Sequence, residues 1–358
     1  MKSKVYFIKT ADKDKPASIK NKFSKLLDKS GILDGISNGD KAVIKIHFGE
    51  EGNTGFVKPD CVKVLSEKLA EAGVEVALSD TNTLYKGKRM NCSDHLKLAR
   101  KHGFTPRKAG AEVFIPDDKK EDNAARFAIN QKFVKTAKVV RLFTDADVLI
   151  SVAHFKGHMM TGFGGVLKNI GMGCATREGK LEQHTDMTPT VFVDTCIGCG
   201  ECVKVCPADA IVIIKEKARI DAEKCIGCAS CIAACPTGAM GVMWEAGGDT
   251  IQEKMTEYAK AVLDNRKGES IHINFAIKIT KECDCLAQDD PRIAPDIGIL
   301  ASVDPVALDK ACLDLTIEAA GKDIFREVHP ERDGMKQLKH AVEIGIGSTE
   351  YELIEITS

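Results

Sequence analysis

The sequence predicts an α/β fold in which a mostly parallel sheet carries helices on both faces and is interrupted by an inserted, cysteine-rich α+β segment. Short β-rich runs alternate with amphipathic helical patterns in the first half of the chain, and the alternation resumes after the interruption. Such alternation is typical of parallel sheets covered on both faces. At 358 residues the chain has room for two or three domains. We expect a host domain in two parts, residues 1–187 and 246–358, around an insert at residues 188–245.

The first half contains five predicted strands and two predicted helices. The strands rest on runs of β-branched and aromatic residues, and the helices on amphipathic spacing that stops at a glycine. The predicted strands are Val5–Ile8, Ala42–Phe48, Val74–Leu78, Lys138–Phe143 and Val148–Ala153. The predicted helices are Pro59–Ala72, with proline in its first turn, and Ser93–His102.

The second part of the host resumes the same pattern. Asp249–Asp264 is predicted to be helical, with Thr250 and Glu253 placed as a capping box. A further helix is predicted to begin at Asp304 and to stop at Gly321. The remaining predicted strands are Ile271–Ile277, Ile297–Leu300 and Tyr351–Ile356.

Composition and charge exclude several classes of function. The formal net charge is -1 and the basic residues are scattered, so neither nucleic acid nor an anionic membrane is an expected partner. No uncharged apolar stretch reaches the roughly 18 residues of a transmembrane helix, and the first residues lack a signal-peptide pattern. We therefore expect a cytoplasmic protein. In that reducing compartment the 14 cysteines are expected to be thiols or metal ligands rather than disulfides.

Eight of the cysteines form two matched runs, each followed by proline. The first run comprises Cys196, Cys199, Cys202 and Cys206, and the second comprises Cys225, Cys228, Cys231 and Cys235. In this spacing, three thiolates of one run hold a cluster that the fourth cysteine of the other run completes. The repeat therefore predicts two 4Fe-4S clusters, one on Cys196, Cys199, Cys202 and Cys235 and the other on Cys225, Cys228, Cys231 and Cys206.

The residues between the cysteines favour the same interpretation. Gly198 and Gly227 allow each loop to turn sharply and to point its amides inward, and Pro207 and Pro236 redirect the chain after the last ligand. Structural zinc on the Cys-x-x-Cys pairs is the alternative. Zinc requires only four ligands, whereas two matched sets of four are present, which favours iron–sulfur clusters.

The insert resembles the two-cluster bacterial-type ferredoxin family, with cysteine at all eight ligand positions. The resemblance implies an α+β ferredoxin-like domain with βαββαβ order and a role in electron transfer.

The flanking parts resemble a different family, grouped as domain of unknown function 362, whose members often carry a ferredoxin insert. The resemblance rests on the runs Val152–His158, Thr161–Gly171 and Pro295–Asp309, and on the motif Cys283-Asp284-Cys285. These motifs carry no established activity, so the resemblance implies a fold rather than a reaction.

A glycine-rich segment at residues 154–171 begins where a predicted strand ends, which is the usual place for a site in an α/β sheet. Its residues His154, Lys156, His158 and Lys168 are suited to holding an anion such as a phosphate or a carboxylate. The alternative is a glycine-rich connection with solvated lysines.

Two further features are candidates for the same site. His47 follows another predicted strand, although the glycines after it match no nucleotide-binding pattern. Cys283 and Cys285 lie two residues apart, so on an extended strand they would face the same side. There they could share a metal or form a redox pair, with Cys174, His158 or His184 as a third member. The alternative is that they are ordinary buried cysteines.

Three functions remain open. In the first, the protein is an oxidoreductase whose clusters exchange electrons with a third metal, an unidentified cofactor or a small anionic substrate. The residues expected to line that site are His47, Lys156, His158, Lys168, Cys283 and Cys285. In the second, the protein is an electron carrier whose α/β domain only docks a redox partner protein. In the third, the clusters are structural or sense oxidants. A cavity at 154–168 beside Cys283, near one cluster, favours the first, and an exposed cluster far from any cavity favours the second.

Overall fold

A computed structural model describes residues 2–116, 121–184, 188–243 and 250–357. The strands in these ranges are β1 (Ser3–Lys9), β2 (Lys41–Ile46), β3 (Glu75–Ser79), β4 (Glu112–Phe114), β5 (Ala124–Ala128), β6 (Thr136–Val140), β7 (Val148–His154), β8 (Lys156–His158), β9 (Gly162–Gly164), β10 (Thr190–Val191), β11 (Ile211–Ile214), β12 (Lys217–Ile220), β13 (Met240–Gly241), β14 (Glu269–Ala276), β15 (Gly298–Ser302) and β16 (Tyr351–Glu355).

The α-helices in the same ranges are α1 (Pro16–Ser30), α2 (Pro59–Glu71), α3 (Cys92–Lys101), α4 (Pro106–Ala109), α5 (Leu142–Asp145), α6 (Val166–Gly171), α7 (Arg177–His184), α8 (Glu201–Lys204), α9 (Ser230–Ala234), α10 (Ile251–Asn265), α11 (Pro305–Ala320), α12 (Ile324–Val328) and α13 (Met335–Glu343). None of these helices combines the length and the hydrophobicity that crossing a membrane requires.

The central sheet contains eight of the described strands in the order β16-β1-β15-β14-β7-β2-β3-β4. Strand β15 runs antiparallel to both of its neighbours, and the other neighbouring pairs are parallel. The prediction of a mostly parallel sheet is therefore confirmed. Because β14, β7, β2 and β3 are consecutive and parallel, their carboxyl ends meet at one edge of the sheet.

Helices pack on both faces of the sheet, as predicted. Val43 and Leu149 belong to one hydrophobic core, which they share with α6, α10 and α11. Their neighbours Ile44 and Ile150 belong to a second core, which they share with α1 and α2. Successive side chains of a strand point to opposite faces, so strands that are buried on both faces are continuously apolar.

The predicted helices and strands occur at their expected places, and most of their ends differ by at most two residues. The exception is the run Lys138–Phe143, where β6 ends at Val140 and the short helix α5 follows. Helix α11 begins as predicted, because the Asp304 carboxylate accepts hydrogen bonds from the backbone N–H groups of Val306 and Ala307.

The capping box predicted for α10 is not formed. Thr250 precedes the helix with α-helical backbone angles, and its side chain makes no capping hydrogen bond. A side-chain cap requires an extended residue at this position, so this threonine cannot reach the first helical N–H groups. Asp249, predicted to begin the helix, lies outside the described residues.

The cysteine-rich segment contains the elements β10, α8, β11, β12, α9 and β13 in chain order. Strand β10 pairs with β13 and β11 pairs with β12, both antiparallel, so the first and last strands meet. Leu84 and Leu181 of the host pack into the hydrophobic core of this segment. The predicted domain boundaries fall at or beside residues 185–187 and 244–249, which lie outside the described ranges.

Candidate functional site

A cavity of about 520 Å³ opens at the carboxyl ends of the parallel strands. His47 follows β2, Asp80 follows β3, His154 ends β7, and the 283–285 segment comes after β14. The structure brings all six candidate residues from the α/β domain to this cavity, namely His47, Lys156, His158, Lys168, Cys283 and Cys285.

Asp284 is the centre of a buried charge cluster in the cavity wall. Nζ of Lys156 donates a hydrogen bond to its Oδ2 at 2.5 Å, and Nδ1 of His154 lies 3.1 Å from the same oxygen. Burial raises the pKa of Asp284, but Lys156 and His154 outweigh burial and hold the pKa below its usual range. Nε2 of His154 also lies 2.8 Å from the carbonyl oxygen of Ile277. The His154 ring is thus held between the turn at Asp284 and the end of β14.

A second buried charge cluster lies at the ends of β2 and β3. Nζ of Lys45 is 2.9 Å from the Asp80 carboxylate, and Arg89 is 3.8 Å from Asp80 and 3.2 Å from Glu50. Burial raises the pKa of Asp80, but the surrounding cations, Lys45 first, hold it below its usual range. Lys45 also donates to Oδ1 of Asn169 at 2.8 Å, which ties this cluster to α6.

The cavity has an excess of positive charge. Among the described residues, two carboxylates line it, those of Asp80 and Asp284, against the cationic side chains of Lys45, Arg89, Lys156, Lys168 and Lys180. Lys168 makes no side-chain hydrogen bond or ion pair within the described part of the chain. Burial, together with the neighbouring cations, lowers the pKa of Lys168 to about 7. The Lys168 amine is therefore available to bind an anion that enters the cavity.

Two histidines of the cavity have tautomers that are set by the backbone. The N–H of Gly49 donates to Nδ1 of His47 at 3.0 Å, and the N–H of Met160 donates to Nδ1 of His158 at 3.1 Å. Burial and nearby cations hold the pKa of both rings well below the usual value, so both are neutral. A neutral ring whose Nδ1 accepts carries its hydrogen on Nε2. Each histidine is therefore an N–H donor at Nε2.

Cys283 and Cys285 are joined by a disulfide in the cavity wall. Two expectations are wrong here: residues 283–285 form a turn rather than a strand, and these two cysteines are not thiols. The turn brings together sulfurs that an extended strand would hold farther apart. One ring nitrogen of His158 and both sulfurs lie within 4.8 Å of one another.

The other two suggested partners, Cys174 and His184, are not grouped with the pair. Cys174 is buried in the hydrophobic core on one face of the sheet, and burial raises the pKa of its thiol to about 12. His184 lines the cavity but does not belong to the group formed by His158 and the two sulfurs.

The eight cysteines of the repeat line two small cavities in sets of four. One cavity is lined by Cys196, Cys199, Cys202 and Cys235, and the other by Cys206, Cys225, Cys228 and Cys231. Each set combines three cysteines of one run with the fourth cysteine of the other run. All eight are free thiols.

The surroundings of these thiols suit metal-bound thiolates. Backbone N–H groups point at the sulfurs, for example from Ala218 to Cys196 at 3.4 Å and from Ala239 to Cys235 at 3.1 Å. Gly198 has a φ of +66°, and a Cβ there would collide with a carbonyl oxygen across the loop. The glycine thus lets the cysteine loop pack closely against the backbone of Glu216.

Among the described residues, the three-residue group placed to hold a single metal ion consists of His158, Cys283 and Cys285, and it includes none of the eight cysteines of the repeat.

One loop connects the cysteine-rich segment with the large cavity. Leu84 lines the cavity and also packs in the core of the cysteine-rich segment. Nζ of Lys86 donates to the carbonyl oxygen of Pro236, which follows the last cysteine of the repeat, at 3.2 Å. The hydroxyl of Tyr85 donates to the carbonyl oxygen of Cys285, also at 3.2 Å. Leu84 thus contacts both sites, Tyr85 contacts the cavity, and Lys86 contacts the cysteine repeat.

Several residues of the cavity were not candidates from the sequence. Lys45 interrupts the apolar strand β2, and Asp80 follows β3 directly, so a charge inside or just after an apolar strand was a usable signal. Arg89 and Tyr85 lie between β3 and α3, where the local sequence carries no such signal.

Solved structures and curated proteins were compared with the chain. A protein from Thermotoga maritima is 14% identical, with 91% of this chain and 59% of that chain covered and a TM-score of 0.43. The lactate racemase apoprotein from Thermoanaerobacterium thermosaccharolyticum is 12% identical, with 77% of this chain and 51% of that chain covered and a TM-score of 0.38. The chain thus spans less than two thirds of the length of either protein. No curated protein matches.

One family model, described as "Domain of unknown function (DUF362)", matches residues 42–314. The matched range includes the cavity-lining segments of β2, β3, β7 and β14 and the whole of the cysteine repeat. Because the match covers most of the chain, this protein belongs to the domain of unknown function 362 family.

Proposed function

We propose that this protein is an iron–sulfur oxidoreductase that binds two 4Fe-4S clusters and exchanges electrons with a small anionic substrate in the large cavity. One cluster is assigned to Cys196, Cys199, Cys202 and Cys235, and the other to Cys225, Cys228, Cys231 and Cys206. The clusters supply one-electron transfer, and the residues of the cavity hold the substrate and move protons.

The observation that carries the proposal is the grouping of eight free thiols in two crossed sets of four, each around its own cavity. Backbone N–H groups directed at the sulfurs also support iron–sulfur clusters. The order of strands and helices in this segment, β-α-β-β-α-β, is also that of two-cluster ferredoxins.

The charge of the cavity supports an anionic substrate. Lys168 faces the cavity without a carboxylate partner, and the fixed cations around it add to the positive potential. His47 and His158 add neutral N–H donors. Lys168 would bind the anionic group, and His158 would donate a hydrogen bond to it through Nε2–H. A volume of about 520 Å³ is sufficient for a small metabolite.

A second candidate function is that of an electron carrier in which the cavity does no chemistry. It is favoured by one observation: an exposed isoleucine, Ile197 or Ile226, lies at each of the two cysteine-lined cavities. Exposed apolar residues beside a redox centre suit the docking of a partner protein. The oxidoreductase needs such a partner as well, and the contacts of residues 84–86 with both sites favour it over a carrier.

Purification without oxygen, followed by iron and sulfide counts and paramagnetic resonance of the reduced protein, tests the proposal. We expect about eight irons per chain, and about four in Cys202→Ser, which loses one ligand of the first cluster. Cys92→Ser, a half-buried cysteine outside the repeat, is the matched control and should keep eight. Zinc at these cysteines, or eight bare thiols in folded protein, would contradict the proposal.

A further inference from the structure

The disulfide between Cys283 and Cys285 has no evident structural purpose. A disulfide stabilises a fold mainly by closing a long loop of the unfolded chain, and this one joins residues only two apart. Both cysteines are half-buried and line the cavity, so a small molecule can reach the sulfurs. Labile or catalytic disulfides are typically accessible in this way.

The contacts around the pair hold it in place without using its sulfurs. Asp284, between the two cysteines, is bound by Lys156 and His154. The carbonyl oxygen of Cys285 accepts the hydrogen bond from Tyr85. The turn can therefore stay fixed when the S–S bond opens, because none of these bonds involves sulfur.

His158 favours redox chemistry over metal binding at this pair. A metal-bound imidazole must offer a lone pair on one nitrogen. Nδ1 of His158 already accepts the N–H of Met160, and Nε2 carries the hydrogen. Neither nitrogen has a free lone pair, so in this arrangement His158 can donate a hydrogen bond to a thiolate but cannot ligate a metal together with the sulfurs.

We propose that Cys283 and Cys285 are a redox-active dithiol–disulfide pair that takes two electrons from the clusters and delivers them to the anionic substrate in the cavity. This inference rests on the proposed function for its reductant. Two electrons and two protons break the S–S bond and give two thiols. Two clusters that each transfer one electron can supply the two electrons that reduction of the disulfide requires. Both protons come from solvent that the cavity admits, and His158 donates a hydrogen bond from Nε2–H to the sulfur.

The return step regenerates the disulfide. The two thiols lose two electrons and two protons to a reducible anionic substrate, and the S–S bond forms again. Residues 84–86 lie between the two sites, since Lys86 bonds to the chain beside Cys235 and Tyr85 bonds to Cys285. The same loop therefore provides a covalent and hydrogen-bonded connection between the cysteine repeat and the disulfide.

Counting electrons in an oxygen-free reductive titration tests the pair. Wild-type holoprotein should take up about four electrons per chain, two for the clusters and two for the disulfide. The double variant Cys283→Ser/Cys285→Ser should take up about two while it keeps eight irons. Alkylation and mass spectrometry of the wild type should label both cysteines only after reduction. Cys92→Ser is the control and should still take up four.

The possible failures are distinguishable. A wild-type chain with eight irons that takes up only two electrons would overturn the redox pair and leave the proposed function standing. One zinc ion per chain that disappears in the double variant would also overturn it, because the pair would then be a metal site. A chain that holds no iron would contradict the proposed function and, with it, the source of the electrons.

Discussion

Nζ of Lys156 lies 2.5 Å from Oδ2 of Asp284, the residue between the two cysteines of the disulfide. Both side chains are almost completely buried, so the lysine has lost its water and depends on this carboxylate. Strand β8 is in this way joined to the turn that carries the sulfurs. The geometry of the cavity therefore depends on a charge pair that the local sequence does not suggest.

Asp284→Asn should destabilise the fold strongly. The substitution leaves Lys156 buried without a counter-charge, which typically costs about 3–5 kcal/mol of unfolding free energy. Denaturant unfolding of the two proteins at pH 7 measures this. Glu51→Gln, which breaks the exposed pair with Lys101, is the matched control and should leave the free energy of unfolding nearly unchanged. Equal losses in both variants would show that the Asp284 cluster is not the stabilising element described here.

Gly157→Ala should also destabilise the site. A Cβ at Gly157 would collide with the backbone carbonyl oxygen of Lys281, so β8 and the 280–285 segment would have to separate. Overpacking of this kind costs about 1–3 kcal/mol. Gly35→Ala is the control, because a Cβ there meets nothing within 4 Å. Thermal unfolding compares the two, and an unchanged melting temperature in Gly157→Ala would rule out this close packing.

Stability should rise with pH above neutrality because of Lys168. Its pKa is about 7 in the folded protein and about 10.4 in an unfolded chain, so the unfolded state binds more protons between these values. The free energy of unfolding then increases with pH, by at most about 1.4 kcal/mol per pH unit for this group. Between pH 7 and pH 10 the free energy of unfolding should increase less in Lys168→Met than in the wild type. Lys97→Met, at an exposed lysine, should keep the wild-type slope.

Inorganic phosphate should bind in the cavity and depend on Lys168. A hydrogen bond to a charged group contributes about 1.5–3 kcal/mol, so Lys168→Met should weaken phosphate binding roughly tenfold to hundredfold. Calorimetric titration with phosphate measures the affinity, and Lys97→Met again serves as the control. If phosphate binds both variants equally well, the cavity is not the anion site.

The fourth cysteine of each run should serve the cluster of the other run. Cys235→Ser should therefore change the same paramagnetic signal as Cys196→Ser, although Cys235 belongs to the second run. Cys231→Ser should change the other signal, since Cys231 lines the second cysteine cavity. If Cys235→Ser instead changes the same paramagnetic signal as Cys231→Ser, the ligands are not exchanged between the runs.

Much of the fold was predictable because its determinants are local. The helix that begins after Asp304 and ends at Gly321 follows from a capping carboxylate and a glycine with positive φ. The prediction of a capping box at Thr250 was wrong, because backbone angles at the start of a helix depend on the preceding chain as well as on residue type.

The candidate site was predictable only in part. His47, Lys156, His158 and Lys168 follow strands whose order was unknown, and they meet because β7 and β2 are parallel neighbours. The ion pair between Lys45 and Asp80 depends in the same way on the pairing of β2 with β3. Pairing between strands is a property of the whole sheet, and no short segment contains it.

The sequence by itself determined the alternation of strands and helices and the spacing of the two cysteine runs, because periodicity and ligand spacing are properties of neighbouring residues. The tertiary structure decided that Cys283 and Cys285 are bonded, that the cavity carries excess positive charge, and that Leu84, Tyr85 and Lys86 lie between the cavity and the cysteine repeat. These features arise from contacts between distant parts of the chain, which form only when the sheet and the cysteine-rich segment pack together.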